Sequence, residues 1–372
     1  MMIRVSFLLF AVWFSCSFAV PASDVDGLAD ARVDAGSGDV VVAAVERKKD
    51  ALVSGLVAAT FTPFRENGAI DVDAVQKQAE YLNATGVHWI FLSGTTGESV
   101  KLTFEERKAQ TETWMKLAPS YGIRVIVHVG DESIETAKSL AAHAETMGAD
   151  AIGAMPTVFF KPSNVDALAL SMQAIAAAAP SLPFFYYHIP SMTGVSYAAG
   201  LLSLVEAIQK IKIPTFAGIK YTGLYTFPGF MDAERILRYN GGKYAVLSGR
   251  DEMMLQALAA GITGFVGSQY NFAGDMYNQL IATFRAGNLT KARAMQLVLI
   301  DLIGAWNDVS EGVDGCKNVL NVAPGGFRVG DARLPSIPIS HDDLVALSSK
   351  VHAWCGEAKA SGLFQSSKMC DF

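Results

Sequence analysis

Eight short runs rich in β-branched and aromatic residues recur along this chain every twenty to thirty-five residues or so, separated by longer stretches rich in Ala, Leu and Glu. The runs end at Ala59-Thr60-Phe61, Leu92-Ser93-Gly94, His128-Val129-Gly130, Ala154-Met155-Pro156, His188-Ile189-Pro190, Ile219-Lys220, Leu247-Ser248-Gly249 and Val266-Gly267-Ser268. They are near-continuously apolar, the pattern of strands covered on both faces of a parallel sheet. Eight strand–helix units fit a closed (β/α)8 barrel of the TIM type. A doubly wound open sheet is the competing architecture, but no Gly-x-Gly-x-x-Gly turn follows the first run. Helix signals agree with the barrel. Thr103 before Phe104-Glu105-Glu106 reads as a capping box opening a helix to Leu117, and the Ser133 hydroxyl is placed to cap a helix from Ile134 to Met147. A helix near Asp275 to Ala286 follows the last strand. Met295 to Trp306 and Leu344 to Trp354 carry helical patterns. The barrel is therefore expected over residues 54–288, with a C-terminal helical extension over 289–372.

Composition narrows the partners. The 372 residues are 51% hydrophobic and 18% charged, enough for a large core. A formal net charge of -6 without a long basic run argues against nucleic acid and gives no attraction to an anionic membrane surface. Arg4 followed by the apolar stretch Val5 to Val20, with small residues around Ala19 and Ala22, reads as a secretory signal peptide over 1–22. The stretch is short for a bilayer, so no stable membrane span is expected after its removal. Residues 23–53 read as a linker. The expected location is the secretory pathway, secreted or vesicular, with the cytoplasm as the alternative. Cys16 would leave with the leader. Cys316, Cys355 and Cys370 then permit at most one intramolecular bridge, with the pairing open, and match no zinc spacing. In that setting the sequons at Asn83 and Asn288 become glycosylation candidates.

The polar residues of interest fall at the carboxyl ends of the runs, where a barrel of this kind carries its chemistry. Lys220 closes an apolar run. A desolvated lysine loses its charge more readily and becomes a nucleophile near neutral pH, which suits imine chemistry. The bland alternative is a strand-end lysine reaching to solvent. Of Tyr186 and Tyr187 at the end of the preceding run, strand alternation sends only one into the barrel. Gly94-Thr95-Thr96-Gly97-Glu98 is a glycine-bracketed turn with two hydroxyls and several backbone N–H groups. It suits a small carboxylate or phosphate, or is a plain strand–helix turn. Asp251 and Glu252 follow Gly249 at the seventh strand's end. They either favour the first turn of a helix or accept hydrogen bonds from hydroxyls at the mouth. Ser268 closes the eighth run in the same place.

Taken together and in order, these residues resemble the pyruvate-dependent class I aldolase family that contains dihydrodipicolinate synthase and N-acetylneuraminate lyase, from about Leu56 to at least Asn271. By that resemblance Lys220 is the Schiff-base lysine, Tyr187 its proton-relaying phenol, and Thr95 and Thr96 the carboxylate cradle. Tyr186 to Val195, His128-Val129-Gly130 and Gly249-x-Asp251-Glu252 are similar to the sialic acid lyase branch. Met192 stands where the synthase branch usually has an arginine. The implied reaction is reversible cleavage of N-acetylneuraminate to pyruvate and N-acetylmannosamine. Thr222, Gly249, Asp251, Glu252 and Ser268 would be the substrate-binding positions beyond the carboxylate. The alternatives are another family aldolase or dehydratase acting on a different 2-keto sugar acid, or a secreted, non-catalytic sialic-acid-binding protein. The resemblance implies no metal or separate organic cofactor, only a covalent imine through Lys220, and a homotetramer. Arg250 and the Tyr221-Thr222-Gly223 segment depart from the lyase pattern at the sugar end.

Overall fold

The computed structural model describes residues 53–196, 200–223, 226–310 and 312–372. The expected signal peptide (1–22) and, except for Val53, the expected linker (23–53) lie outside the described residues. The first half of the barrel runs β1 Gly55–Ala59, α1 Val72–Ala84, β2 Trp89–Leu92, α2 Phe104–Leu117, β3 Arg124–His128, α3 Ile134–Thr146, β4 Ala151–Ala154 and α4 Val165–Ala176. The second half runs β5 Phe184–His188, the single turn α5 Pro190–Thr193, α6 Leu202–Ile211, β6 Phe216–Tyr221, α7 Phe227–Arg238, β7 Ala245–Ser248, α8 Met254–Ala259, β8 Gly264–Gly267 and α9 Gly274–Arg285. Three further helices follow: α10 Leu289–Asn307, α11 Gly312–Val322 and α12 His341–Ala360. The eight strands close into one parallel barrel in sequence order, β1 pairing with β8.

Local signals account for the helix starts. Thr103 Oγ1 accepts from the Glu106 N–H while Glu106 returns a bond to the Thr103 N–H, the reciprocal pair expected of a capping box. Ser133 Oγ accepts from the Thr136 N–H at the start of α3. Strand alternation then sorts the apolar residues into two layers. Leu56, Ile90, Val125, Ile152 and Tyr186 pack outward against the helices. Val57, Phe91, Ile126, Ala151, Phe185, Tyr187 and Leu247 fill the barrel interior. Alternation alone left open which tyrosine enters the barrel, and it is Tyr187.

The helices after α9 belong to the same compact unit as the barrel. The Trp354 indole N–H of α12 donates to the Val298 carbonyl of α10 at 2.8 Å. Cys355 bonds to Cys370, fixing the C-terminal tail to α12 and leaving Cys316 a buried free thiol. The tail also ties to α9 through the Lys368 N–H and the Asp275 carboxylate. Asn83 and Asn288 are both exposed, and Asn288 caps α10. Among the described residues no helix is long and apolar enough to cross a membrane.

One irregularity decides where the site points. Between β5 and β6 the register shifts: Phe184 pairs with Phe216 but Phe185 with Gly218, so Ala217 is an extra residue in a β-bulge. Ala217 faces inward while Phe216, Ile219 and Tyr221 face the helices. Uninterrupted alternation from Phe216 would have turned Lys220 outward. The bulge reverses the phase and aims Lys220 into the barrel. Gly218 makes it possible, with φ of 156° and a backbone so close to β7 that a Cβ would lie 2.1 Å from the Ala245 carbonyl oxygen. Gly218→Ala should therefore destabilise the fold by about 1–3 kcal/mol or more, as overpacking against backbone does. It should also expose Lys220 to a water-soluble amine reagent. Denaturant midpoints and the labelled fraction of Lys220 check both effects.

Candidate active site

All nine residues singled out from the sequence line one cavity of about 990 Å3 at the carboxyl ends of the strands: Lys220, Tyr187, Thr95, Thr96, Thr222, Gly249, Asp251, Glu252 and Ser268. The cavity continues outward along α10 to Trp306 and α12. Among the described residues, no group of three His, Cys, Asp or Glu side chains is placed to hold a metal ion.

Lys220 and Tyr187 are register partners on β6 and β5. The lysine is only 4% exposed, and its Nζ lies 3.9 Å from the centroid of the Tyr187 ring and 4.1 Å from that of Phe91. Burial lowers its pKa from 10.5 to about 7, against the opposing pull of the Asp251 charge. Near neutral pH a large share of the amine is thus uncharged. The Tyr187 hydroxyl sits 3.2 Å from Thr95 Oγ1. Burial pushes this phenol up to about 12, with the Thr95 hydrogen bond and the Arg250 charge working the other way. Tyr187 therefore keeps its proton at neutral pH and is suited to passing one on.

The turn after β2 is built from several directions. The Glu98 N–H donates to the Thr95 carbonyl and the Ser99 N–H to the Gly94 carbonyl, closing the loop on itself. Thr62 Oγ1 donates to the Gly97 carbonyl at 2.7 Å. Thr96 Oγ1 meets Ser268 Oγ at 2.6 Å, so the ends of β2 and β8 share one pair of hydroxyls. Beneath the turn, His128 holds the Ser93 carbonyl through Nδ1 at 2.8 Å, while Nε2 faces the Met155 N–H at 3.3 Å. An acceptor on one nitrogen and a donor on the other fix a neutral ring with its proton on Nδ1. Burial, and secondarily the Arg107 charge, hold its pKa well below the ordinary histidine range.

The acidic end is more constrained than the sequence suggests. Asp251 is buried, with Oδ2 accepting from the Gln269 N–H at 3.0 Å. A Cβ on Gly267 would lie 1.6 Å from Asp251 Oδ1, so the carboxylate lies across the end of β8 only because residue 267 is glycine. Burial raises the Asp251 pKa to about 6, the Gln269 N–H opposing it. Glu252 is partly exposed and lies 3.6 Å from the Arg250 guanidinium, whose Nε donates to the Thr222 carbonyl. Thr222 spends its hydroxyl proton on the His188 carbonyl. Gly249 leaves room for the Thr222 methyl, which a Cβ there would approach to 2.7 Å.

Several residues that shape this site were missed from the sequence. Phe91 walls the Lys220 amine, and inward alternation along Trp89-Ile90-Phe91-Leu92 was the available signal. Gln296 of α10 donates to the Asp251 carbonyl from forty-five residues away, and Lys317 of α11 bonds Glu98. Such long-range partners leave no local pattern: Lys317 stands beside Asn318 and Asn321 in a helical segment of mixed polarity.

The profile of the Dihydrodipicolinate synthetase family matches residues 52–354. N-acetylneuraminate lyase A of Xenopus laevis is 39% identical over 298 residues, covering 78% of this chain and 94% of the relative. Among solved structures, Proteus mirabilis N-acetylneuraminate lyase superposes with a TM-score of 0.76 at 33% identity, covering 81% of this chain and 98% of that one. A catalytic lysine mutant of the Ruminococcus gnavus sialic acid aldolase superposes at 0.75 and 27% identity, covering 82% and 97%. An aromatic-walled lysine on a parallel barrel, a hydroxyl turn beside it and this match over most of the sequence lead to one conclusion: the chain belongs to the Dihydrodipicolinate synthetase family.

Proposed function

We propose that this protein catalyses the reversible aldol cleavage of N-acetylneuraminate to pyruvate and N-acetylmannosamine through an imine on Lys220. The observation that carries the reading is an amine with a pKa of about 7, buried between two aromatic rings and flanked by a phenol and a hydroxyl turn. Relatives named for this reaction support the choice of sugar acid.

The uncharged Lys220 amine attacks the C2 ketone of the open-chain sugar, and loss of water with uptake of one proton leaves a protonated imine. Thr95, Thr96 and adjacent backbone N–H groups hold the C1 carboxylate. Tyr187 relays the C4 hydroxyl proton toward that carboxylate, the C3–C4 bond breaks, and its electron pair is taken up by the imine as an enamine. N-acetylmannosamine leaves as the aldehyde. Protonation of C3 and addition of water then release pyruvate and restore the amine. Asp251, Glu252 and Ser268 orient the glycerol tail, Gly249 lets the backbone approach it, and Thr222 supports this edge of the cavity. Lysine supplies the electron sink, so the reading needs no metal or separate organic cofactor.

The same reading extends to setting. An apolar leader-like stretch and the Cys355–Cys370 bridge support passage through an oxidising secretory compartment, a cytoplasmic protein being the alternative. Phe159 and Phe160, 81% and 82% exposed in the loop after β4, support association of copies, for which a homotetramer is proposed.

Borohydride added with pyruvate should attach one reduced pyruvate to Lys220, read by intact mass and peptide mapping. Lys220→Ala should abolish both this label and pyruvate release from N-acetylneuraminate followed by NMR. Normal turnover in that variant would sink the mechanism, and release of pyruvate only from other 2-keto sugar acids would reassign the substrate. Tyr187→Phe should lower kcat by roughly two orders of magnitude, the scale of lost proton transfer.

The pH dependence has a definite sign. Labelling of Lys220 by an amine reagent should rise with pH and reach its half-value near pH 7, because only the uncharged form reacts. Asp251→Asn removes the charge that holds the amine's pKa up, so the half-point should move to lower pH. A half-point near that of a free lysine would show an amine that is not desolvated.

A further inference from the structure

Glu98 closes the hydroxyl turn, yet its carboxylate faces away from the cavity and into the protein. It is 3% exposed and its backbone is left-handed, φ 56°, a conformation that a non-glycine residue holds only when its surroundings enforce it. Inside the protein its carboxylate meets Lys317 of α11, whose side chain is fully buried. Its Nζ donates to Glu98 Oε1 at 2.9 Å, to the Thr62 carbonyl at 2.7 Å and to the Asp331 carbonyl at 3.0 Å. Glu98 Oε2 accepts from the Arg333 N–H at 2.9 Å and from Lys101 Nζ at 3.1 Å.

Two arms run from this one ammonium to the turn. The Glu98 side chain is fixed by Lys317, and the Glu98 N–H in turn holds the Thr95 carbonyl. Thr62 is fixed by Lys317 through its carbonyl, and its hydroxyl holds the Gly97 carbonyl. Thr95 and Thr96 thus sit on a loop gripped by a helix more than two hundred residues later in the chain. We infer that Lys317 and Glu98 are positioning residues that set the geometry of the carboxylate cradle, so that the C-terminal helical extension is part of the substrate-binding apparatus. The inference rests on the imine reading and adds to it a residue pair outside the cavity on which keto-acid affinity depends.

The test uses the full-length protein, borohydride trapping and two ketones, pyruvate and acetone, which differ in the carboxylate the turn would hold. In Lys317→Met and Glu98→Gln, half-saturating pyruvate should rise about tenfold or more, the scale of a charge-assisted hydrogen bond lost from its proper place. Trapping at saturating pyruvate, and trapping of acetone, should stay within about twofold of the unaltered protein, since the amine itself is untouched. Thr62→Val removes only the second arm and leaves the ion pair in place, so it should raise half-saturating pyruvate several-fold. Unchanged pyruvate half-saturation in the folded variants would overturn the inference. So would a parallel fall in pyruvate and acetone trapping, which would mark general structural damage. If Lys317→Met and Glu98→Gln do not accumulate folded, Thr62→Val decides alone, and a value equal to the unaltered protein's refutes the coupling. Failure of the unaltered protein to trap either ketone would instead remove the imine reading, and this inference with it.

Discussion

The desolvated Lys220 amine is the interaction on which the rest of this site depends. Taking an ammonium out of water disfavours its charged form, while two ring faces and the Asp251 carboxylate restore part of what is lost. The balance falls at about pH 7. Nucleophilicity and pH response both follow from it. A wetter cavity would leave a fully charged lysine, and a carboxylate in direct contact would have the same effect. Asp251 avoids this by lying across Gly267 and accepting the Gln269 N–H, near enough to moderate the amine and held away from it.

Holding that balance requires backbone geometry that no single element supplies. The bulge at Ala217–Gly218 aims the lysine inward. Parallel pairing with β5 then places Tyr187 beside it, and pairing around the barrel brings the end of β8 to the hydroxyl turn after β2. The closed sheet matters because each strand end is fixed by neighbours on both sides, so hydroxyls contributed by distant parts of the sequence meet at hydrogen-bond distance. Outside the barrel, α10 and α11 reach back to the same rim through Gln296 and Lys317.

Much of this was legible in the sequence. Buried parallel strands are short apolar runs, and helix starts carry capping residues, so eight repeats and the ends of their strands could be read to within a residue or two. Thr103 and Ser133 cap as their spacing demands. The nine candidate residues could be collected because a barrel gathers the residues at its strand ends and because their order resembles a known family, and they line one cavity. What could not be read depends on contacts rather than on local pattern. Which of Tyr186 and Tyr187 turns inward depends on the barrel's layering. The direction of Lys220 depends on a bulge whose sequence trace is one glycine among thirty-three. The Cys355–Cys370 pairing depends on where the tail folds back, and the placement of Asp251 on the missing side chain of Gly267.

Lys220 and Lys317 make the argument by contrast. Both are lysines carried into the protein interior, and desolvation lowers the pKa of each. Lys317 has a carboxylate and two carbonyls arranged around its three protons, which keeps the charge where it can hold the turn. Among the described residues, Lys220 has ring faces around its Nζ and no hydrogen-bond acceptor. A satisfied buried ammonium is a structural bond, whereas an unsatisfied one gives up its proton and becomes a reagent. The fold keeps the two apart by topology. The acceptors that satisfy Lys317 come from the backbone at the rim and from the back of the hydroxyl turn, while the front of that turn, with Thr95 and Thr96, opens on the cavity beside Lys220.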